Sequence, residues 1–246
     1  MAAKGYVVWE GPSPVTGAPI VAVLTMKTSN RKTGQMAQLW IIPRDVAPTD
    51  ALKTGEDEAV CGSCPLRGDG TGKGRACYVV IAQAPLAVWK SYRRGIYPRI
   101  GVMQLAALLD GVKVRLGAWG DPAMLPLYIV RAVTEASAGW TGYTHQWASI
   151  PAVWAEYLMA SVDSEAERQV ANALGWRCFL VVADQAAMAA APHAVECMAT
   201  RTRNKRQCAD CLACSGTRRG AVSGAVDIVL VAHGAGAKYV GALASA

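Results

Sequence analysis

The run Tyr157-Leu-Met-Ala-Ser161, Val162-Asp163-Ser164-Glu165-Ala-Glu167 through Leu174-Gly175, and Cys178-Phe-Leu-Val-Val182 changes its pattern twice within a few turns of chain. Residues 157–161 are short and apolar, as a strand covered on both faces is. Residues 163–174 open with Glu165 and Glu167, acids suited to a helix N-terminus, and stop at Gly175. Residues 178–182 are apolar again. Strand, helix and strand in this order form a βαβ unit, whose two strands are parallel.

The alternation extends in both directions. Residues 114–118 read as a strand, followed by a helical stretch from Pro122 to about residue 138. Residues 140–144 read as the next strand, with a short helix from Pro151, and residues 227–232 as the last strand. Residues 20–26 and 38–42 are two early strands, joined through the turn at 30–34. Helical segments at 84–94 and 99–109 flank the breaker at 95–98. The expected architecture is a single α/β domain over residues 1–246, with a parallel sheet closed partly or wholly into a (β/α) barrel. Two cysteine-rich insertions interrupt it: an irregular loop at 44–78 and a second at 197–216.

Hydrophobic residues make up 52% of the 246 and charged residues 17%, a balance that argues against disorder. The N-terminus lacks the apolar stretch of a signal peptide, and no run of about eighteen apolar residues exists to span a bilayer. The expected location is therefore the cytoplasm, with no membrane partner. Thiols stay reduced there, so the eight cysteines read as metal ligands rather than disulfides.

The C-terminal group is Cys197-x10-Cys208-x2-Cys211-x2-Cys214. Tandem two-residue gaps wrap a short loop around a compact centre, as in ferredoxin-type 4Fe–4S sites, and Cys197 supplies the fourth thiolate. Structural zinc also takes four thiolates, but usually from two separated pairs, so the spacing favours iron–sulfur and leaves zinc as the alternative. The N-terminal group is Cys61-x2-Cys64-Pro65 with Cys77 after a glycine-rich loop. Three cysteines are one short of a closed site; Cys178 is a candidate fourth, although its strand position suits a small buried hydrophobe. A three-cysteine cluster with one open iron would leave room for a substrate.

Parallel sheets with helical crossovers place working residues at the carboxyl ends of their strands. Asp121, His145 and Asp163 occupy such ends and are the catalytic candidates. Asp121 and Asp163 could equally cap helices, whereas His145 has no capping use. The formal charge of +7 is concentrated at Arg201, Arg203, Lys205, Arg206, Arg218 and Arg219, opposed there only by Asp210. This stretch could meet nucleic acid or another polyanion, offset a thiolate-bound cluster, or form a solvated face.

Cys-x2-Cys-Pro at 61–65, Cys77-Tyr78, Gly120-Asp121 and Gly142-Tyr143-Thr144, in that order, resemble the gene-product-88-like family of phage and prophage proteins. The resemblance covers about residues 53–216 and implies a distant relation to the radical S-adenosylmethionine barrel class. It implies an incomplete (β/α) barrel with an iron–sulfur cluster near the strand ends. The spacing Cys61-x2-Cys64-x12-Cys77 departs from the C-x3-C-x2-C loop of that class. The departure speaks against carrying S-adenosylmethionine over as a cofactor and leaves an open-iron cluster standing. Taken together, the expectation is a phage-type iron–sulfur protein, a redox or radical enzyme with two clusters acting on a small molecule or with a redox partner. The alternatives are a zinc-stabilised nucleic-acid-binding protein and a structural phage component stapled by metal.

Overall fold

The computed structural model describes residues 3–191, 193–217 and 226–243. Among them, ten strands form two five-stranded sheets. The first contains β1 (Gly5–Pro12), β2 (Pro19–Thr25), β3 (Ala37–Pro43), β4 (Lys113–Arg115) and β5 (Gly139–Thr141) in that spatial order. The second has the order β6 (Tyr143–Thr144), β7 (Met159–Val162), β8 (Cys178–Val182), β10 (Asp227–Val231) and β9 (Ala194–Glu196).

The second sheet is parallel throughout, as the βαβ reading of 157–182 requires. Helix α6 (Glu165–Ala173) is its crossover between β7 and β8. The first sheet corrects the expectation of a purely parallel α/β chain. β1, β2 and β3 are antiparallel, and only β3, β4 and β5 run parallel. β2 pairs with β3 as expected, but β1 was not read as a strand. Its partial exposure is that of an edge, and an irregularity in register between Val7 and Trp9 breaks the alternation by which a strand declares itself. Every residue of β3 is buried, because the sheet is covered on both sides there.

The two sheets meet in one extended segment. β5 pairs with β4, β6 pairs with β7, and only Gly142 separates them. Gly142 donates to the Cys214 carbonyl at 2.8 Å and accepts from Met159 N–H at 3.1 Å. A Cβ at this position would lie 2.7 Å from Leu158 Cδ2 and 3.0 Å from Leu116 Cβ. A side chain there would wedge the strands apart, so the crossing from one sheet to the other needs glycine.

The region 44–78, expected to be irregular, contains two short helices, α1 (Pro48–Thr54) and α2 (Glu58–Cys61), and a 3-10 turn at Pro65–Arg67. Pro48 opens α1, and Gly55, with φ 80°, closes it in the left-handed conformation. Helices α3 (Ala84–Arg93) and α4 (Val102–Leu109) fall close to the expected segments. The stretch after Pro122 divides into a 3-10 turn (Pro122–Met124) and α5 (Leu127–Ala136), because Pro126 cannot donate to a continuous helix. After β8 come α7 (Gln185–Ala189), β9, α8 (Met198–Arg201) and α9 (Cys208–Cys211). Arg218 and Arg219 lie outside the described residues. No described helix is long and apolar enough to cross a membrane.

Candidate functional site

The local chain folds Cys61, Cys64 and Cys77 together for identifiable reasons. Cys61 ends α2 and Cys64 precedes the 3-10 turn. Arg67 reaches back from that turn, donating to the carbonyls of Gly55 (2.8 Å) and Gly62 (3.2 Å) and to Asp57 Oδ1 (2.7 Å). The Arg67–Asp57 pair is largely buried, so it fixes the two ends of the cysteine turn against each other. The glycine-rich stretch is the return path. Asp69 accepts from Thr71 N–H at 2.8 Å and Lys73 N–H at 3.2 Å, closing the loop on itself. Ala76 and Cys77 then both donate to the Leu66 carbonyl, at 3.1 and 3.0 Å, which sets Cys77 beside the Cys61–Cys64 turn.

The strand ends are tied to that turn. Asp121 N–H donates to Val60 O at 2.7 Å. Gln146 accepts from Ser63 Oγ at 3.0 Å and donates to Cys61 O at 3.3 Å. Asp121 Oδ1 accepts from Ala123 N–H (2.9 Å), and Oδ2 accepts from Thr144 Oγ1 (3.0 Å) and His145 N–H (2.9 Å). Asp121 is therefore both a cap and a brace, and both its oxygens are engaged. Its burial pushes its pKa up, against the pull of these three donors.

His145 sits between the cysteines and Asp163. Its Nε2 lies 3.4 Å from Asp163 Oδ2, with side-chain exposures of 12% and 8%. The approach lacks hydrogen-bond geometry, and His145 Nε2 and Asp163 Oδ1 both stay unpartnered among the described residues. Burial opposes the imidazolium, but Cys64 and Asp163 outweigh it and hold the His145 pKa well above its ordinary value. Burial raises the thiols of Cys61 and Cys77; Cys61 is raised further by its neighbour Cys64. Asp163 does not cap α6. Ser164 does so, accepting from Glu167 N–H at 3.2 Å, which leaves the Asp163 carboxylate for His145.

These groups face a cavity of about 140 Å³. Cys61, Cys64, Cys77, Asp121 and His145 form its polar side, and Asp163 stands behind His145 rather than in the wall. The opposite wall is the inner face of the parallel sheet, with Tyr143, Ser161, Phe179, Val181, Leu230 and Ala232 at alternate positions. His233 closes one side; it is tilted against Tyr78 and its Nε2 is 3.1 Å from Lys32 Nζ. Cys178 faces away from the cavity: it is fully buried in β8 against α6 and is not the missing fourth ligand.

No protein-family model, curated protein or solved structure matches this chain. The site must be interpreted from its own geometry.

The four-cysteine group occupies the same inner sheet face. Cys197 and Cys214 are buried with Met159, Phe179, Ile228 and Leu230, and Cys208 packs at their edge. Cys197 N–H donates to Val229 O at 2.9 Å at the end of β9. Arg177, itself buried, donates to the carbonyls of Ala213 and Ser215, each at 2.9 Å, and pins the segment carrying Cys214. Burial, together with Cys197, Cys208 and Cys211 nearby, pushes the Cys214 thiol up to about 12, against a hydrogen bond from Tyr143. All eight cysteines are free. Among the described residues, no three His, Cys, Asp or Glu side chains close around a point as the ligands of one metal ion.

Sequence reasoning missed four residues of this site. Tyr143 and Phe179 pack in a tilted pair with centroids 4.4 Å apart and belong to both the cavity wall and the four-cysteine group. Arg115, 7% exposed, is bonded to the Tyr78 hydroxyl and lies in the field of Tyr143 and Cys208. His233 follows the last strand. The available signal was strand-end position for His233 and inward alternation in β6 and β8 for the aromatics. Arg115 gave no signal, since a strand arginine usually faces solvent.

Proposed function

We propose that the chain is an iron–sulfur protein of redox or radical type. One cluster would be held by Cys197, Cys208, Cys211 and Cys214, and a second by Cys61, Cys64 and Cys77 at the cavity. The observation that carries this reading is the convergence of three thiols and the His145 imidazole on one wall of a cavity beside the strand ends.

The donors fit the group. Soft thiolates are the ligands iron–sulfur clusters use, and Cys61, Cys197, Cys208 and Cys214 pack among apolar side chains. Burial raises the Cys61 and Cys214 thiols, so cluster binding there would release protons and stabilise the fold. A three-thiolate centre supplies one-electron chemistry at an open position. The chain's own residues would do the rest. Phe179, Val181 and Leu230 offer an apolar wall to a small substrate and exclude water. Asp163 orients His145 electrostatically, and His145 holds or delivers a proton at the polar wall. Asp121 positions His145 through its backbone.

Within this proposal, the parallel strands from β3 to β9, joined through Gly142, form an incomplete (β/α) barrel. The phage and radical S-adenosylmethionine resemblance and a cytoplasmic location belong to the same reading. Anaerobic purification with iron, sulfide and zinc analysis tests it. A brown protein absorbing near about 400 nm and containing iron and sulfide is expected. A colourless protein containing zinc alone would refute it.

A further inference from the structure

We propose that the cations around Cys208 and Cys211 form the docking face of an acidic one-electron carrier protein, with the four-cysteine centre as the point of electron entry. The inference rests on the iron–sulfur reading above and adds a partner to it.

The four thiols are unequally covered. Cys197 and Cys214 are buried, whereas Cys208 and Cys211 on α9 are only half-buried, so one edge of the group reaches the surface. The chain surrounds that edge with positive charge. Cys208 and Ala209 donate to the carbonyls of Lys32 (3.0 Å) and Thr33 (2.9 Å), and Gln207 donates to Arg31 O at 2.8 Å. α9 is thereby fastened to the turn that presents Arg31 and Lys32. On its other side α9 packs against α8, which leads into Arg201, Arg203, Lys205 and Arg206, all exposed. Among the described residues none of these cations forms an ion pair. Asp210 is the one acid among them. Cations without an ion-pair partner around a half-buried centre steer an anionic protein to it and hold it in register.

A route leads inward from α9. Cys208 and Cys214 lie beside Tyr143, which packs tilted against Phe179 and lines the cavity with Cys61, Cys64 and Cys77. An electron delivered at α9 therefore has a path through packed side chains to the cavity. With clusters bound, the carrier would give up one electron, the centre held by Cys197, Cys208, Cys211 and Cys214 would accept it, and the centre held by Cys61, Cys64 and Cys77 would be its final acceptor. No bond within the chain forms or breaks.

The test uses the full chain, purified anaerobically, mixed in a stopped-flow instrument with a reduced plant-type 2Fe–2S ferredoxin as the acidic carrier. The variant is Arg201→Glu/Lys205→Glu/Arg206→Glu; Arg203 is left alone because its φ of 51° makes the turn sensitive to change. The wild-type rate should fall steeply with added salt, and the variant should react at least about tenfold more slowly at low salt. The extent of reduction by excess dithionite should be unchanged. Ferredoxin reducing the variant at the wild-type rate would overturn the proposal. So would failure of ferredoxin to reduce either protein while duplex DNA binds the wild type and not the variant. If the triple variant loses iron, Lys205→Gln/Arg206→Gln replaces it and is judged by the same rates. A wild-type chain without iron and sulfide sinks the iron–sulfur reading itself, whereas an iron–sulfur protein indifferent to these charges sinks only the docking face.

Discussion

Asp121→Ala is the sharpest probe of how the cavity is held together. The carboxylate is 8% exposed and accepts from Ala123 N–H, Thr144 Oγ1 and His145 N–H. Loss of the cap on Ala123 costs about 1 kcal/mol. The Thr144 hydroxyl can rotate to another acceptor, but the buried His145 N–H cannot, and an unsatisfied donor costs about 1–3 kcal/mol. Removing a carboxyl that burial already disfavours offsets part of this, so the net loss should be about 2–3 kcal/mol. That is a large share of a typical stability of about 5–15 kcal/mol. Asp121→Asn separates the terms. It keeps an oxygen for Ala123 but turns an NH2 towards His145 N–H, donor against donor, so it should recover the cap and not the brace. Urea unfolding followed by circular dichroism reads both variants; the midpoint should fall with an unchanged slope. In the anaerobic protein, both should also perturb the cavity centre's spectrum more than that of the four-cysteine centre. A wild-type midpoint for Asp121→Ala would refute the bracing argument.

Three further outcomes follow from the same geometry. Cys211→Ala should lower bound metal and expose residues 197–216 to limited proteolysis; full wild-type metal content would remove Cys211 from the ligand set. His145→Ala should alter the spectrum or potential of the cavity centre, and an unchanged spectrum and potential would exclude the imidazole from it. Asp227→Ala removes one of the two carboxylates on the buried Arg168, which keeps Glu165 at 2.7 Å, and strips the Cys178 N–H of its 2.7 Å acceptor. It should destabilise by about 1–3 kcal/mol in urea, chiefly through the unsatisfied Cys178 N–H, and an unchanged midpoint would show that water replaces the lost acceptor.

The second half of the fold was legible because its strands and helices satisfy local rules independently. β7, α6 and β8 each declare themselves by pattern, and the parallel pairing follows. The first half was not. β1 loses its alternation at the irregularity between Val7 and Trp9, and α1 and α2 hide within a stretch dominated by glycine, proline and aspartate. What organises that stretch is Arg67 closing on Asp57 and two carbonyls, a long-range packing event with no signature in spacing. The site was partly legible for the same reason. Cysteine spacing named both thiol groups, and strand ends named Asp121, His145 and Asp163. Their division of labour depended on side-chain contacts. Ser164 rather than Asp163 took the cap, and this choice leaves Asp163 free to face His145.

The two cysteine groups are parts of one arrangement, and the inner face of the parallel sheet shows why. Side chains on that face repeat every second residue, so each strand offers successive positions along its length. Met159 and Ile228 come earlier and pack on the four-cysteine group; Ser161 and Ala232 come later and line the cavity. Tyr143, Phe179, Val181 and Leu230 lie between and touch both. The segment that anchors Cys214 is bonded to Gly142, the residue at which the chain passes from one sheet to the other. Tyr143 is the next residue, and its position is therefore set by the same junction that holds Cys214. A change in the four-cysteine group must be felt at the cavity wall, because the side chains that cover one line the other. That shared layer is what makes the lower group more than a staple: it is the floor of the site above it.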